Sequence, residues 1–164
     1  MCAAMNHSDY LIREYQASDR AAVEQCIADL QDSTKVFNPN VSDGSIAPVY
    51  LQYLIRRCGE TGGEIFVVET EGRVVGMVAV FARVKSNSAD EDDYEYAHIS
   101  DLVVLDGYRS KGLGRALIQR AEEHVRSMGA KLLRIGVMAH NEGARVLYNR
   151  YGFDELFVML QKEL

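Results

Sequence analysis

The sequence predicts a mixed α/β domain in which two helices precede most of a sheet and a strand, helix, strand, helix, strand succession completes it. Three observations carry this. Apolar residues recur at helical spacing twice before any long β-rich run, as Val23, Cys26, Ile27, Leu30 and again as Leu51, Leu54, Ile55, Cys58. The runs EIFVVET and RVVGMVAVFARV flank Glu71-Gly72, the pattern of an antiparallel hairpin. Finally, YEYAHISDLVVL leads directly into a glycine-containing turn, RSKGLG, and then an amphipathic helix.

Taken in order, Tyr10 to Tyr15 reads as a first strand and Ser18 as the cap of the first helix. A polar loop with Asn38, Pro39 and Asn40 separates it from the second helix, which stops at Thr61-Gly62-Gly63. After the hairpin, KSNSADEDD is a polar loop, residues 94–105 form a strand, and the helix behind the glycine turn ends at Gly129. KLLRIGVM is expected as a buried strand. Asn141 then caps a helix with Ala144, Leu147, Tyr148 and Tyr151 on one face, Gly152 ends it, and FDELFVML is expected to close the sheet.

The 164 residues suit one compact domain, taken as residues 10–164 behind a frayed end over residues 1–9. That end, MCAAMNHSD, has neither the basic start nor the apolar core of a signal peptide. No uncharged apolar run approaches the roughly 20 residues that span a bilayer, so no membrane association and a cytoplasmic location are expected. Cys2, Cys26 and Cys58 are widely spaced and odd in number, and the last two fall on apolar stripes, so no disulfide is expected. The histidines form no HExxH pair, and no metal site is expected.

The net charge of −6 is unevenly distributed. Residues 109–134 hold seven basic side chains against two acidic ones, so this segment carries +5 and the remainder −11. Nucleic-acid binding needs an extended positive surface, so no nucleic-acid partner is expected. A small polyanion suits one basic segment better.

The glycine turn offers a place for it. The first amides of a helix are unpaired and carry a partial positive charge, so an anion is stabilised there. Arg109, Ser110, Lys111, Gly112, Leu113 and Gly114 lie between a strand and a helix, where successive amides and two basic side chains can converge on a phosphate. A solvated turn before a helix is the plain alternative. The Walker pattern is absent, and a dinucleotide fingerprint fails at Leu117, where a third small residue belongs.

LVVLDGYRSKGLGRALI resembles the pyrophosphate-binding motif of the GCN5-related N-acetyltransferases (GNAT), Arg or Gln, two residues, Gly, any residue, then Gly or Ala. Arg109 to Gly114 match it throughout. NEGARVLYNRYGF is similar to the second motif of the same family, with Asn141 opening a helix, Tyr148 seven residues on, and Tyr151-Gly152-Phe153 closing it. The element order agrees along nearly the whole chain, the first 60 residues in order only. The resemblance implies the GNAT fold: a mixed, mostly antiparallel twisted sheet of about six or seven strands with about four helices. Two parallel strands, ending near Val104 and Val137, splay apart to form an acetyl-CoA wedge.

The resemblance also implies roles. Acetyl-CoA would be the donor, with its pantetheine arm paired to the backbone of Leu102, Val103 and Val104 as an added strand. Its pyrophosphate would meet the turn from Arg109 to Gly114 together with Arg115, and Asn141, Ala144 and Tyr148 would complete the site. Leu102 to Val104 are equally core strand, and Asn141 is equally a cap. Transfer to an amine needs an uncharged nucleophile, an oxyanion donor and a proton for the thiolate. The Val103 N–H is the expected oxyanion donor. Tyr148, a phenol protonated at neutral pH, is the expected acid, against the alternative of a core tyrosine. The position where some family members carry a basic glutamate is Gly136 here. Asp101 ranks first as the base and Glu95 second, with His98 or a water chain as further routes.

Five acids within residues 90–95 would attract a cationic acceptor, or simply solvate a loop. Tyr50 and Tyr53 lie near the usual acceptor mouth of this fold and would line the pocket or only pack. The expected activity is acetyl transfer to a primary amine, a small cationic molecule or a peptide or protein amine. A homodimer is possible in this family. The rival readings are a non-catalytic acyl-CoA-binding sensor and a nucleotide-binding regulatory domain.

Overall fold

A computed structural model describes residues 9–86, 89 and 92–163. Most of the expected frayed end, Cys2, and acidic-loop positions 90 and 91 lie outside the described residues. Five strands form one sheet in sequence order: β1 (Leu11–Glu14), β2 (Glu64–Thr70), β3 (Arg73–Lys85), β4 (Glu95–Val104) and β5 (Leu133–Ile135). Neighbours are antiparallel except β4 and β5, which are parallel. The four helices are α1 (Arg20–Lys35), α2 (Ala47–Thr61), α3 (Leu113–Ser127) and α4 (Glu142–Arg150).

Strand alternation sorts the apolar side chains into two cores. From β2, Ile65 and Val67 face α1 and α2, while Phe66 and Val68 face α3. The α1 and α2 stripes read from sequence, Val23, Cys26 and Ile27 with Leu51, Leu54 and Cys58, fill the first core beside Met77, Ala79 and Phe81. Leu113, Leu117, Ile118, Ala121 and Val125 of α3 fill the second. With helices on both faces, β2 and the middle of β3 are buried throughout, which is why they read as continuous apolar runs. Burial holds the Cys26 and Cys58 thiols at about 12, so both stay protonated.

The sequence reading needs four corrections. The sheet has five strands among the described residues, not six or seven. Residues 131–138 form a strand only over Leu133–Ile135, and half-buried rather than fully so, because Gly136 and the turn behind it leave the sheet. FDELFVML makes no strand: residues 154–163 are irregular and exposed, with Phe157 at 73% and Leu160 at 89%. Phe153 packs edge-on against Tyr148, and Glu155 pairs with Arg145 of α4. Ser18, finally, is not a cap. It lies in a 3-10 turn, Ala17–Asp19, and the polar work at this corner belongs to Asp19, which accepts from the Gln16 N–H at 2.8 Å.

Asp19 also ties β1 to α1. Arg13 donates to both of its oxygens, at 2.6 and 2.9 Å, and to Glu69 on β2 at 2.9 Å. Asp19 is buried, and the Arg13 guanidinium, outweighing desolvation, holds its carboxyl below the usual carboxylate range. A depressed folded pKa stabilises the protein above the unfolded pKa of about 3.9 and loses that contribution as pH falls through the folded value. Replacing Asp19 by Ala is therefore expected to cost about 2 kcal/mol at neutral pH, since the hydrogen bonds lost involve charged groups. Urea unfolding of both proteins at pH 7 and in acid measures this, and the difference between them shrinks in acid.

Candidate active site

A one-residue bulge in β4 organises the site. Ala79 of β3 pairs with Asp101 and Val80 with Ile99, so Ser100 is the extra residue. Before the bulge, Ala97 and Ile99 face α3; after it, Asp101 and Val103 point to the α1 and α2 side, and Leu102 packs towards α3. Unbulged alternation would turn Asp101 to the same face as Ile99.

The backbone follows the same logic. Leu105 N–H donates to Val75 O at 2.9 Å, which makes this a hydrogen-bonded pair of the antiparallel ladder. Two residues back, Val103 therefore bonds to Met77, and the peptide groups of Leu102 and Val104 point away from β3. On that outer side β5 pairs with β4 over Ala97–Ile99 and ends at the pair Ile99 with Ile135. Beyond Ile99, β4 continues with an open edge carrying the groups of Leu102 and Val104. This corrects one expectation: the Val103 N–H is committed to β3, and the available donor is its neighbour, Leu102.

The space between the diverging strands is a cleft of about 360 Å³. One wall is Ser100, Asp101 and Leu102; the other is residues 135–138, with Asn141, Ala144 and Tyr148 from α4. Leu30, Gln31 and Thr34 of α1, with Val41, form the far side. None of these four stands out as a site residue in the sequence. Their signal was the α1 stripe running on past Leu30 to Thr34, one turn later.

Asp101 and Tyr148 meet in this cleft. Asp101 is 6% exposed, and desolvation pushes its carboxyl above the usual range, opposed by hydrogen bonds from Ser100 and Tyr50. The Tyr50 hydroxyl donates to Asp101 Oδ2 at 3.2 Å. Tyr148 is half-buried, and burial first, then the charge on Asp101, raises its phenol to about 12. The Asn141 side chain accepts from the Ala144 N–H at 3.1 Å, the expected cap. Gly136 faces open space on the cleft wall and offers no carboxylate.

Two candidate bases lie elsewhere. Glu95 is exposed at the opposite end of β4, paired with Lys85, and six residues of strand separate it from Asp101 by about 20 Å. It does not join the cleft. His98 packs its ring against Phe81 and does not line the cleft either. Burial, then Arg134, lowers its pKa. The acidic positions that are described, Asp92 and Asp93, share the Glu95 end and line no part of the cleft.

The glycine turn lies where β4 passes into α3. Gly112 has φ +88° and begins the helix from a left-handed conformation, and Ser110 adopts φ +61°. The bond from Ala116 N–H to Gly112 O, 3.1 Å, leaves the amides of Leu113, Gly114 and Arg115 at the open helix end. Arg109 folds back, its Nε donating to Val104 O at 2.8 Å and its guanidinium pairing with Asp106. Lys111 lies over the Tyr108 ring and Arg115 over Tyr151.

Residues 25–153 match the profile of the Acetyltransferase (GNAT) family. The chain belongs to this family. An uncharacterised N-acetyltransferase of Methanocaldococcus jannaschii is 35% identical over 106 residues, which cover 65% of this chain and 44% of that protein. This chain thus aligns with under half of that relative. Among solved structures, a Bacillus halodurans protein, crystallised as a point mutant, superposes with a TM-score of 0.82 at 17% identity, covering 94% of this chain and 99% of the other. AAC(6')-Iy in complex with the bisubstrate analog CoA-S-monomethyl-acetylneamine gives 0.69 at 14% identity, with 94% and 99% covered. At these identities the structural likeness concerns the fold. Among the described residues, no helix is long and apolar enough to cross a membrane, and no group of His, Cys, Asp and Glu is arranged to hold a metal.

The bulged, open-edged stretch of β4 leans on one close contact. A Cβ built on Gly76 would come within 2.7 Å of Val103 O and 3.2 Å of Val104 Cα, both backbone atoms. Gly76→Ala therefore displaces β4 beside the cleft. The expected result is a loss of about 1–3 kcal/mol in denaturant unfolding, the range for overpacking, with CoA affinity in calorimetry weakened in the same variant.

Proposed function

We propose that this protein transfers an acetyl group from acetyl-CoA to a primary amine by direct attack within the cleft between β4 and β5. The observation that carries the reading is the convergence of a buried carboxylate, Asp101, and a protonated phenol, Tyr148, beside an open strand edge in a GNAT chain. The pantetheine amides would complete the ladder on the Leu102 and Val104 edge, once Arg109 releases Val104 O. Freed, Arg109 would join Ser110, Lys111 and the amides of Gly112 to Arg115 around the pyrophosphate. Asn141 and Ala144 would flank the arm from α4.

The chemistry then follows from the two side chains. The acceptor arrives as an ammonium, and Asp101 takes its proton directly or through water, holds it through the transfer, and releases it to solvent once the products have formed. Elevation of the Asp101 pKa by burial suits this, because a base works best near the ambient pH. The free amine attacks the thioester carbonyl, and the Leu102 N–H faces the developing oxyanion. As the C–S bond breaks, Tyr148 gives its proton to sulfur and is reprotonated by the one leaving the new amide nitrogen. Tyr148 is held at about 12 partly by the negative charge of Asp101. Protonation of Asp101 removes that charge and makes Tyr148 a stronger acid at the moment the thiolate forms.

The acceptor class follows from the lining. Asp101 is the sole carboxylate lining the cleft among the described residues, while Gln31 and Thr34 offer neutral hydrogen-bonding groups. A small amine, or the end of a peptide or protein amine, presenting one cation would suit it better than a polycation. The acidic residues near Glu95 would not take part.

The test is thiol release from acetyl-CoA against a panel of amines, after calorimetric titration with CoA. Tyr148→Phe is expected to bind CoA normally while kcat falls by about 10²–10⁴-fold, the usual contribution of a positioned acid. CoA binding with no release for any amine would favour the sensor reading, and no CoA binding would remove the basis of the proposal.

A further inference from the structure

Tyr50 lies far from Asp101 in sequence, yet its hydroxyl is the link between α2 and the cleft carboxylate, at 3.2 Å. The ring is held independently of that bond. It stacks on Tyr53 with centroids 5.7 Å apart and planes 22° from parallel, and packs against the core beneath α1 and α2. The phenol is thus presented from the packed face of α2. Burial, then the neighbouring Asp101, pushes its own pKa well above the ordinary phenol value, so it acts only as a donor.

We propose that Tyr50 is a positioning residue for the transfer reaction: its hydroxyl fixes the Asp101 carboxylate at the cleft wall and sets the pH at which that carboxylate becomes a free base. This rests on the reading of Asp101 as the base. The reasoning is one of sign. A hydrogen bond donated to the ionised carboxylate favours it, whereas desolvation favours the neutral acid. With Asp101 only 6% exposed, water cannot replace a lost donor cheaply. The other titratable groups around the carboxylate are Cys58 on α2 and Tyr148 on α4. Cys58, held at about 12, and the donor Tyr148 remain neutral near pH 7. From α1 come Gln31 and Thr34, which do not titrate, and no lysine or arginine lines the cleft among the described residues. Ser100 and Tyr50 are therefore the groups that offset burial, and Tyr50 is the one that reaches the carboxylate from another element, α2.

Tyr50→Phe keeps the ring, its stacking and its volume, and deletes the donor. The experiment is the pH profile of kcat for the wild type, Tyr50→Phe and Asp101→Asn, each saturated with acetyl-CoA and one amine. The expected result is an acidic limb that Asp101→Asn abolishes with the rate, and that Tyr50→Phe moves upward by about one pH unit, the scale of one hydrogen bond to a charged group. Below the limb this amounts to a roughly tenfold loss, with the alkaline plateau largely retained. Titration of the Asp101 carboxyl carbon by NMR in the free proteins gives the same shift without relying on turnover. A limb abolished by Asp101→Asn but unmoved by Tyr50→Phe, with an unmoved NMR titration, overturns the role of Tyr50 and leaves the base assignment standing. An Asp101→Asn variant that keeps the wild-type limb and rate overturns both.

Discussion

Strand β4 pairs with β3 on one side, while β5 covers its other side only over Ala97–Ile99, so that from there to Val104 its outer edge is open. That half-open strand is the constraint on which the rest depends. A strand edge left open in a buried region carries unpaired amides and carbonyls, which cost free energy until something completes them. In this molecule Arg109 partly does so by bonding Val104 O. The same residue belongs to the turn at the start of α3, so the strand edge and the helix end are linked by one side chain that both halves of an extended ligand would displace or recruit.

The bulge at Ser100 gives this edge its chemistry. An extra residue resets the alternation, so that Asp101 turns to the side where α1 and α2 lie and Leu102 and Val104 turn towards α3. The carboxylate then meets Tyr50, and its charge acts on Tyr148. Burial and hydrogen bonding act on it in opposite directions, and the balance between them, rather than the presence of an acid, decides whether it can serve as a base. The surrounding cores supply the rigidity this needs. Two layers of apolar side chains grip β2 and β3 from both faces, and β4 pairs with β3 from Glu95 to Val104 across two register shifts.

Much of this could be read in the sequence. The stripes of α1 and α2, the hairpin at Glu71-Gly72, the Arg109 to Gly114 turn and the Asn141 cap are local patterns, set by backbone stereochemistry and by apolar periodicity within a few residues. Two ordered motifs were enough to indicate the family. The failures were of another kind. FDELFVML has the composition of a strand, but composition does not supply a partner edge, and residues 154–163 lie outside the sheet. Glu95 and Asp101 share a strand and a charge, and nothing local tells which of them a cleft will enclose.

The sequence by itself thus determined most of the element types, the apolar stripes of the first two helices, and the location of the glycine turn before α3, because each depends on interactions between near neighbours in the chain. Only the tertiary structure decided the rest. Ser100 is a bulge because of how β4 registers on β3, Val103 is committed to the ladder while Leu102 is not, and Tyr50 reaches Asp101 across 51 positions. These are long-range pairings, fixed by packing and register, and a shift of a single residue in that register would have exchanged the roles of every group on the strand.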